Sequence, residues 1–301
     1  MNFAIRYLTQ YEYDGDVVDN LNALRVKPHD NGRQRCDEFG VRLTPEVRLH
    51  RHTDYFGTEV VEFEVSRPHR QLTIDVRARV STKPAVEPPQ STWEALQDPQ
   101  YREAGGEFLL QTDDAPEHPA MQELIATTGA AASPLATVLL TSQLIADRFE
   151  YRRGATYVDS RISDLLEAGA GVCQDFVHLG LSLLRHHGIA ARYVSGYLFA
   201  SGSEDRGESV EVDTHAWLEA LLPVGESDPS QPTTADPVWV GADPTNRVLA
   251  GETHVKIGHG RHYADVPPIK GVYRGAASAK LDASVTMTRL ERTDPASIAR
   301  S

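Results

Sequence analysis

An α+β fold is predicted by three features of the chain. The first 85 residues alternate apolar and polar side chains in short runs, the middle turns to helical spacing, and alternation returns after residue 190. Blocks of strands and blocks of helices, rather than regular βα units, point to antiparallel sheets. In order, Phe3-Ala-Ile-Arg-Tyr-Leu8, Gly40-Val-Arg-Leu-Thr44 and Gln71-Leu-Thr-Ile-Asp-Val-Arg-Ala-Arg-Val80 read as strands, separated by turn clusters such as His29-Asp-Asn-Gly32 and Asp54-Tyr-Phe-Gly57. Residues 1–85 are therefore expected to form a β-rich, sandwich-like N-terminal domain. Lys83-Pro-Ala-Val-Glu-Pro-Pro-Gln-Ser91 is Pro-rich, and 86–118 is expected to be a linker.

A second domain is expected over 119–285. From Pro119 to Tyr151 the apolar residues Met121, Leu124 and Ile125, then Leu139, Leu144 and Ile145, keep helical spacing. Ser160–Gly169 reads as a short helix stopped by Gly. The run from Cys173 reads as an apolar helix that stops at Gly188, a residue suited to a left-handed cap. Strands follow at Ala191–Leu198, Thr214–Leu222 and Val238–Asp243. Residues 286–301 are polar and are expected to be a loosely held tail.

Composition narrows the function. The chain has 301 residues, 40% hydrophobic and 24% charged, with a net charge of −13. No basic block offers itself to nucleic acid or to an anionic membrane. No apolar run approaches the roughly 18 residues of a membrane span. Two cysteines make no disulfide framework, and the strand-like start lacks the basic and apolar blocks of a secretory leader, so cytoplasmic residence is expected. No Asp-rich calcium loop is present, and no cofactor is expected.

The chemistry centres on Cys173. A cysteine at a helix N-terminus meets partial positive charge and free N–H groups, which favour the thiolate and any anion formed from it. Strand periodicity puts His215, Trp217 and Glu219 on one face. A hairpin through the loop containing Gly225, Pro229 and Pro232 would bring His215 beside Asp243, where Pro244 ends the next strand. Nucleophile, general base and orienting carboxylate are then together: Cys173, His215 and Asp243.

Other residues have plainer readings. Cys36 lies in a polar segment without such company. His178, five residues after Cys173, points away from it on an ideal helix and reads as packing or support. Gln174 and Asp175 suit capping of the helix, with shaping of an acyl site as the alternative. Trp217 and Trp239 read as core, or as a groove wall. His254, His259 and His262 share a loop without a suitable further ligand, so no metal site is expected. His186-His187 suits a helix C-terminus.

Gly171-Val-Cys-Gln-Asp-Phe-Val-His178, Arg192-Tyr-Val-Ser-Gly-Tyr197, Thr214-His-Ala-Trp217 and Trp239-Val-Gly-Ala-Asp-Pro-Thr-Asn246 resemble the core of the bacterial transglutaminase-like superfamily. The flanking Phe149–Thr156 and Gly260–Tyr273 segments and the β-rich front resemble the same group. The resemblance implies a papain-like, transglutaminase-like core: a helix carrying Cys packed on an antiparallel sheet. It implies a thiol enzyme acting on a protein or peptide through an acyl-thioester, as a protease or amidase or as a crosslinking acyltransferase. The Cys173 N–H is the natural first donor to an oxyanion, with Tyr151, Tyr157 and Gln174 as candidates for the second. The alternative is a catalytically silent module that binds a partner protein.

Overall fold

The computed structural model describes residues 1–85, 87–111, 117–200, 209–224 and 236–291. The front of the chain forms β1 (Asn2–Leu24), β2 (Gln34–Thr44), β3 (His50–Thr53), β4 (Glu59–Val65) and β5 (His69–Thr82). Helices α1 (Pro99–Gly105), α2 (Pro119–Gly129) and α3 (Pro134–Arg148) follow, then β6 (Glu150–Tyr151), α4 (Ile162–Ala168), β7 (Ala170–Gly171) and α5 (Cys173–His186). Strands complete the chain: β8 (Ala191–Leu198), β9 (Ser209–Val212), β10 (Thr214–Leu222), β11 (Val238–Asp243), β12 (Val248–Leu249), β13 (His254–Gly260), β14 (Ile269–Arg274) and β15 (Ala279–Arg289).

The N-terminal region is sandwich-like because one strand serves two sheets. The first half of β1 lies between β5 and β15. Its register with β5 slips between Glu12 and Val17, and its second half lies between β4 and β14. Alternation puts Phe3, Ile5 and Tyr7 inward, where they share a core with Leu72, Ile74, Phe63 and Val65. The second region packs α5 on a five-stranded antiparallel sheet ordered β12-β11-β10-β8-β13. Phe176, Val177, Leu179, Leu181 and Leu183 of α5 are wholly buried. Gly188 (φ 75°) ends the helix, and the Ile189 N–H returns to the Leu184 carbonyl at 3.0 Å.

Three expected boundaries shift. The helical stretch from Pro119 to Tyr151 is two helices and a short strand. It breaks where Ser133 caps α3, its Oγ accepting from the Ala136 N–H at 3.2 Å, with Pro134 next. The polar tail drawn from residue 286 cuts β15, whose Val285 and Met287 are buried between outward Thr286 and Thr288. Threonine is a strand former, and its polarity masks the alternation. Strands β14 and β15 thus belong to the N-terminal sheets, although they follow the second region in sequence. The segment 292–301 and the turn with Gly225, Pro229 and Pro232 lie outside the described residues.

The expected linker, 86–118, carries α1 and buried Leu96 and Tyr101. The Tyr101 hydroxyl donates to the Leu221 carbonyl at 3.2 Å and accepts from the Ala190 N–H at 2.8 Å. Tyr101→Phe strands both backbone groups in the core. It is expected to lower stability by about 1–3 kcal/mol, read as a lower urea midpoint with an unchanged slope.

Candidate active site

Cys173 is the first residue of α5 and is partly exposed. Its placement rests on Asp175, whose buried Oδ2 accepts from the Val172 N–H at 2.8 Å and from the Thr156 hydroxyl at 2.6 Å. Burial raises the Asp175 pKa, opposed by these bonds. Strand β7 enters the helix alongside β6, which sets Tyr151 near the helix start. Asp175 therefore acts as the cap. Gln174 donates its side-chain amide to the Val158 carbonyl at 2.9 Å and lines the cleft.

His215 comes from the start of β10. In the β10–β11 register Leu218 faces Ala242, which sets Asp243 across from Trp217 and diagonal to His215. His215 Nε2 meets Asp243 Oδ2 at 2.8 Å. Nδ1 is left for the sulfur of Cys173, with which the ring interacts. Burial works against a charged His215, but the hydrogen bonds to Asp243 and then Cys173 outweigh it and push the imidazole up to about 10.

Asp243 is fully buried. Burial alone would raise its pKa, but the bonds from His215 and His254, with that of Asn246, hold it below the usual carboxylate range. Its Oδ1 accepts from the N–H groups of Thr245 (2.9 Å) and Asn246 (3.1 Å), and its Oδ2 from the Asn246 side chain (2.7 Å) and His254 Nε2 (3.2 Å). His254 Nδ1 accepts from the Gly251 N–H at 3.2 Å, so the His254 proton is on Nε2 and points at Asp243. The ligand atoms of His215, Asp243 and His254 lie within 4.8 Å of one another, a grouping that could hold a metal ion. Here the Nε2 lone pair of His254 is taken up by its proton.

Sequence reasoning placed His254 in a loose cluster with His259 and His262. The structure disperses the three. His254 sits on Asp243, His259 Nε2 lies 3.1 Å from Arg192, and His262 stacks on buried His178 at 4.0 Å. The role of His254 depends on how β13 registers against β8, a long-range pairing that no local pattern marks. Trp217 is 2% exposed and packs edge-on to His254 at 5.2 Å beneath the His215–Asp243 pair. Trp239 lies under the Arg192 guanidinium at 3.8 Å. Cys36 is in β2, and burial pushes its thiol up to about 11.

A cleft of about 380 Å³ opens over Cys173 and His215. Tyr193, buried in β8, forms its floor; burial, then the nearby Cys173, raises its pKa well above the usual range. Of the three candidate oxyanion donors, Tyr151 and Gln174 line the cleft, whereas Tyr157 is 77% exposed and does not. The opposite wall is Tyr7, Thr9 and Tyr11 of β1. Sequence reasoning did not assign the N-terminal region to the site. The signal available was an unusual run of aromatic residues on one face of a strand.

Two sequence-family models match the chain: the bacterial transglutaminase-like N-terminal region over residues 3–81, and the transglutaminase-like superfamily over residues 122–244. An uncharacterized protein of Mycobacterium leprae is 34% identical over 284 residues, covering 94% of this chain and 96% of that protein. An uncharacterized protein of Mycobacterium tuberculosis (strain H37Rv) is 32% identical over 302 residues, covering 96% and 93%. Among solved structures, a "putative cysteine protease" from Cytophaga hutchinsonii superposes with a TM-score of 0.72 over 97% of this chain and 92% of that one. At 21% identity, this shows a shared fold.

Two predictions follow from the geometry. A Cβ on Gly196 would lie 2.3 Å from the Val255 carbonyl oxygen and 2.4 Å from the Trp217 ring. Gly196→Ala is expected to cost about 1–3 kcal/mol by overpacking, read by urea denaturation. For His215, the raised pKa means that its contribution to stability is complete below about pH 6.5 and is lost as pH rises through about 10. An NMR titration of the ring is expected to show imidazolium at neutral pH in the wild type. In Asp243→Asn the midpoint should fall, and an unchanged midpoint would remove Asp243 as its cause.

Proposed function

Because the chain belongs to the transglutaminase-like superfamily, we propose that it is a thiol enzyme that transfers acyl groups from amide or peptide bonds through Cys173, His215 and Asp243. The observation that carries this reading is the His215 ring, held by fully buried Asp243 at 2.8 Å and in contact with Cys173. Cys173 attacks the carbonyl carbon of the amide. The oxyanion is met by the Cys173 N–H at the start of α5, with Tyr151 as second donor. His215 protonates the leaving amine, which departs and leaves an acyl-thioester on Cys173. Water or a primary amine then attacks the thioester, giving its proton to His215, and the thiolate is released. Asp243 keeps the ring oriented and stabilises its charged form.

The protein or peptide substrate lies between the Cys173 end of α5 and the Tyr7–Tyr11 face of β1. Support comes from the cleft, which has both walls and is open above the sulfur.

Cys173 is expected to be labelled readily by iodoacetamide at pH 6–7. Cys36, whose thiol is pushed up to about 11, stays unlabelled. His215→Ala should slow labelling at least tenfold and return it to ordinary thiol behaviour. Labelling of the wild type that already follows an ordinary thiol would overturn the ion-paired nucleophile and favour a silent binding module. Incubating the enzyme with peptides and a labelled primary amine then separates cleavage from amine incorporation, and Cys173→Ala should abolish both with the fold intact.

A further inference from the structure

A second cavity of about 380 Å³ lies on the face of the catalytic sheet that carries Trp217 and Glu219, closed over by the 29–34 loop from the N-terminal region. Gln34 fastens that loop, its side chain bonding to Lys256 N and O at 2.9 and 2.6 Å. The lining holds four basic side chains, Arg33, Lys83, Arg192 and Lys256, against one carboxylate, Glu219; burial, offset in part by Glu219, lowers the Lys256 pKa to about 8, which leaves it charged at neutral pH. Glu219 is already shared between Arg192 (2.7 Å) and Lys256 (2.6 Å), with all three side chains at most 15% exposed.

This network is unbalanced. Two buried cations on one carboxylate leave one positive charge in excess, and buried net charge is penalised. Donors are also left over. Lys256 has three N–H groups and one bond, to Glu219. Arg192 can only donate, so His259 Nε2, at 3.1 Å from it, accepts. The His259 proton is then on Nδ1, which is buried and has no hydrogen-bond partner among the described residues. Arg33 Nε is likewise buried without one. Burial, then the charges of Lys256 and Arg192, keeps His259 neutral. All this lies in a chain of net charge −13.

We propose that this cavity is a binding site for a small oxyanion, a carboxylate or phosphate group, held by Lys256, Arg33 and Lys83. Two of its walls, Trp217 and His254, pack against the His215–Asp243 pair from the side away from the Cys173 cleft. The anion therefore binds without occupying the cleft, and the proposal does not depend on the reaction assigned to Cys173.

The test is calorimetric titration of the full chain with inorganic phosphate and, separately, with succinate, at fixed ionic strength against chloride. Saturable binding of one anion per chain is expected for at least one of the two. The anion that binds more tightly identifies the class. Arg33→Gln with Lys83→Gln should weaken binding at least tenfold. Unchanged circular dichroism and an unchanged Cys173 alkylation rate certify the variant as folded. Absence of saturable binding for both anions, or equal binding by wild type and the folded variant, would overturn the proposal.

Discussion

The candidate site depends on keeping one carboxylate charged where water cannot reach it. Asp243 has no exposed surface, and without partners it would take up a proton and release His215. Five hydrogen bonds oppose that, from two imidazoles, one side-chain amide and two backbone N–H groups. They come from β10, β13 and the 245–246 turn. The registers of β10 with β11 and of β13 with β8 are therefore tied to the charge state of a single group. Trp217 and Val194 fill the space beneath it, which removes room for water and strengthens each of these bonds.

The N-terminal sandwich is a working part of the same device. Its longest strand supplies Tyr7, Thr9 and Tyr11 to the cleft, and the loop after that strand closes the second cavity. The five-stranded sheet thus meets this region twice, once through the cleft and once through Gln34 and its neighbours. A rigid second wall restricts what can lie across Cys173 without contributing to the reacting groups.

The α+β class was legible in the sequence, as were the local positions of Cys173, His215 and Asp243, because each rests on local signals. A cysteine heads an apolar helix, a histidine starts an alternating strand, and an aspartate precedes the proline that ends the next one. What was not legible depends on pairings distant in sequence. His254 reaches Asp243 only through the β8–β13 register. Tyr101 looked like linker because α1 is short and follows a Pro-rich run, yet it bonds to Ala190 and Leu221. The end of β15 was hidden by threonines, which satisfy a strand as well as a polar tail does. Lys256 and Glu219 are 37 residues apart, and only the sheet brings them together.

The pairing of β1 with β15 also bears on how the chain is made. Synthesis proceeds from the N-terminus, so β1 meets β5 after about 80 residues, but its other edge waits for residues 279–289. Over that interval the edge from Phe3 to Tyr13 has unsatisfied backbone groups and strongly strand-forming side chains, the pattern that invites intermolecular pairing. Burdens of this kind fall on the nascent chain rather than on the finished protein. They make the docking of the last strand the step at which the chain becomes safe from aggregation.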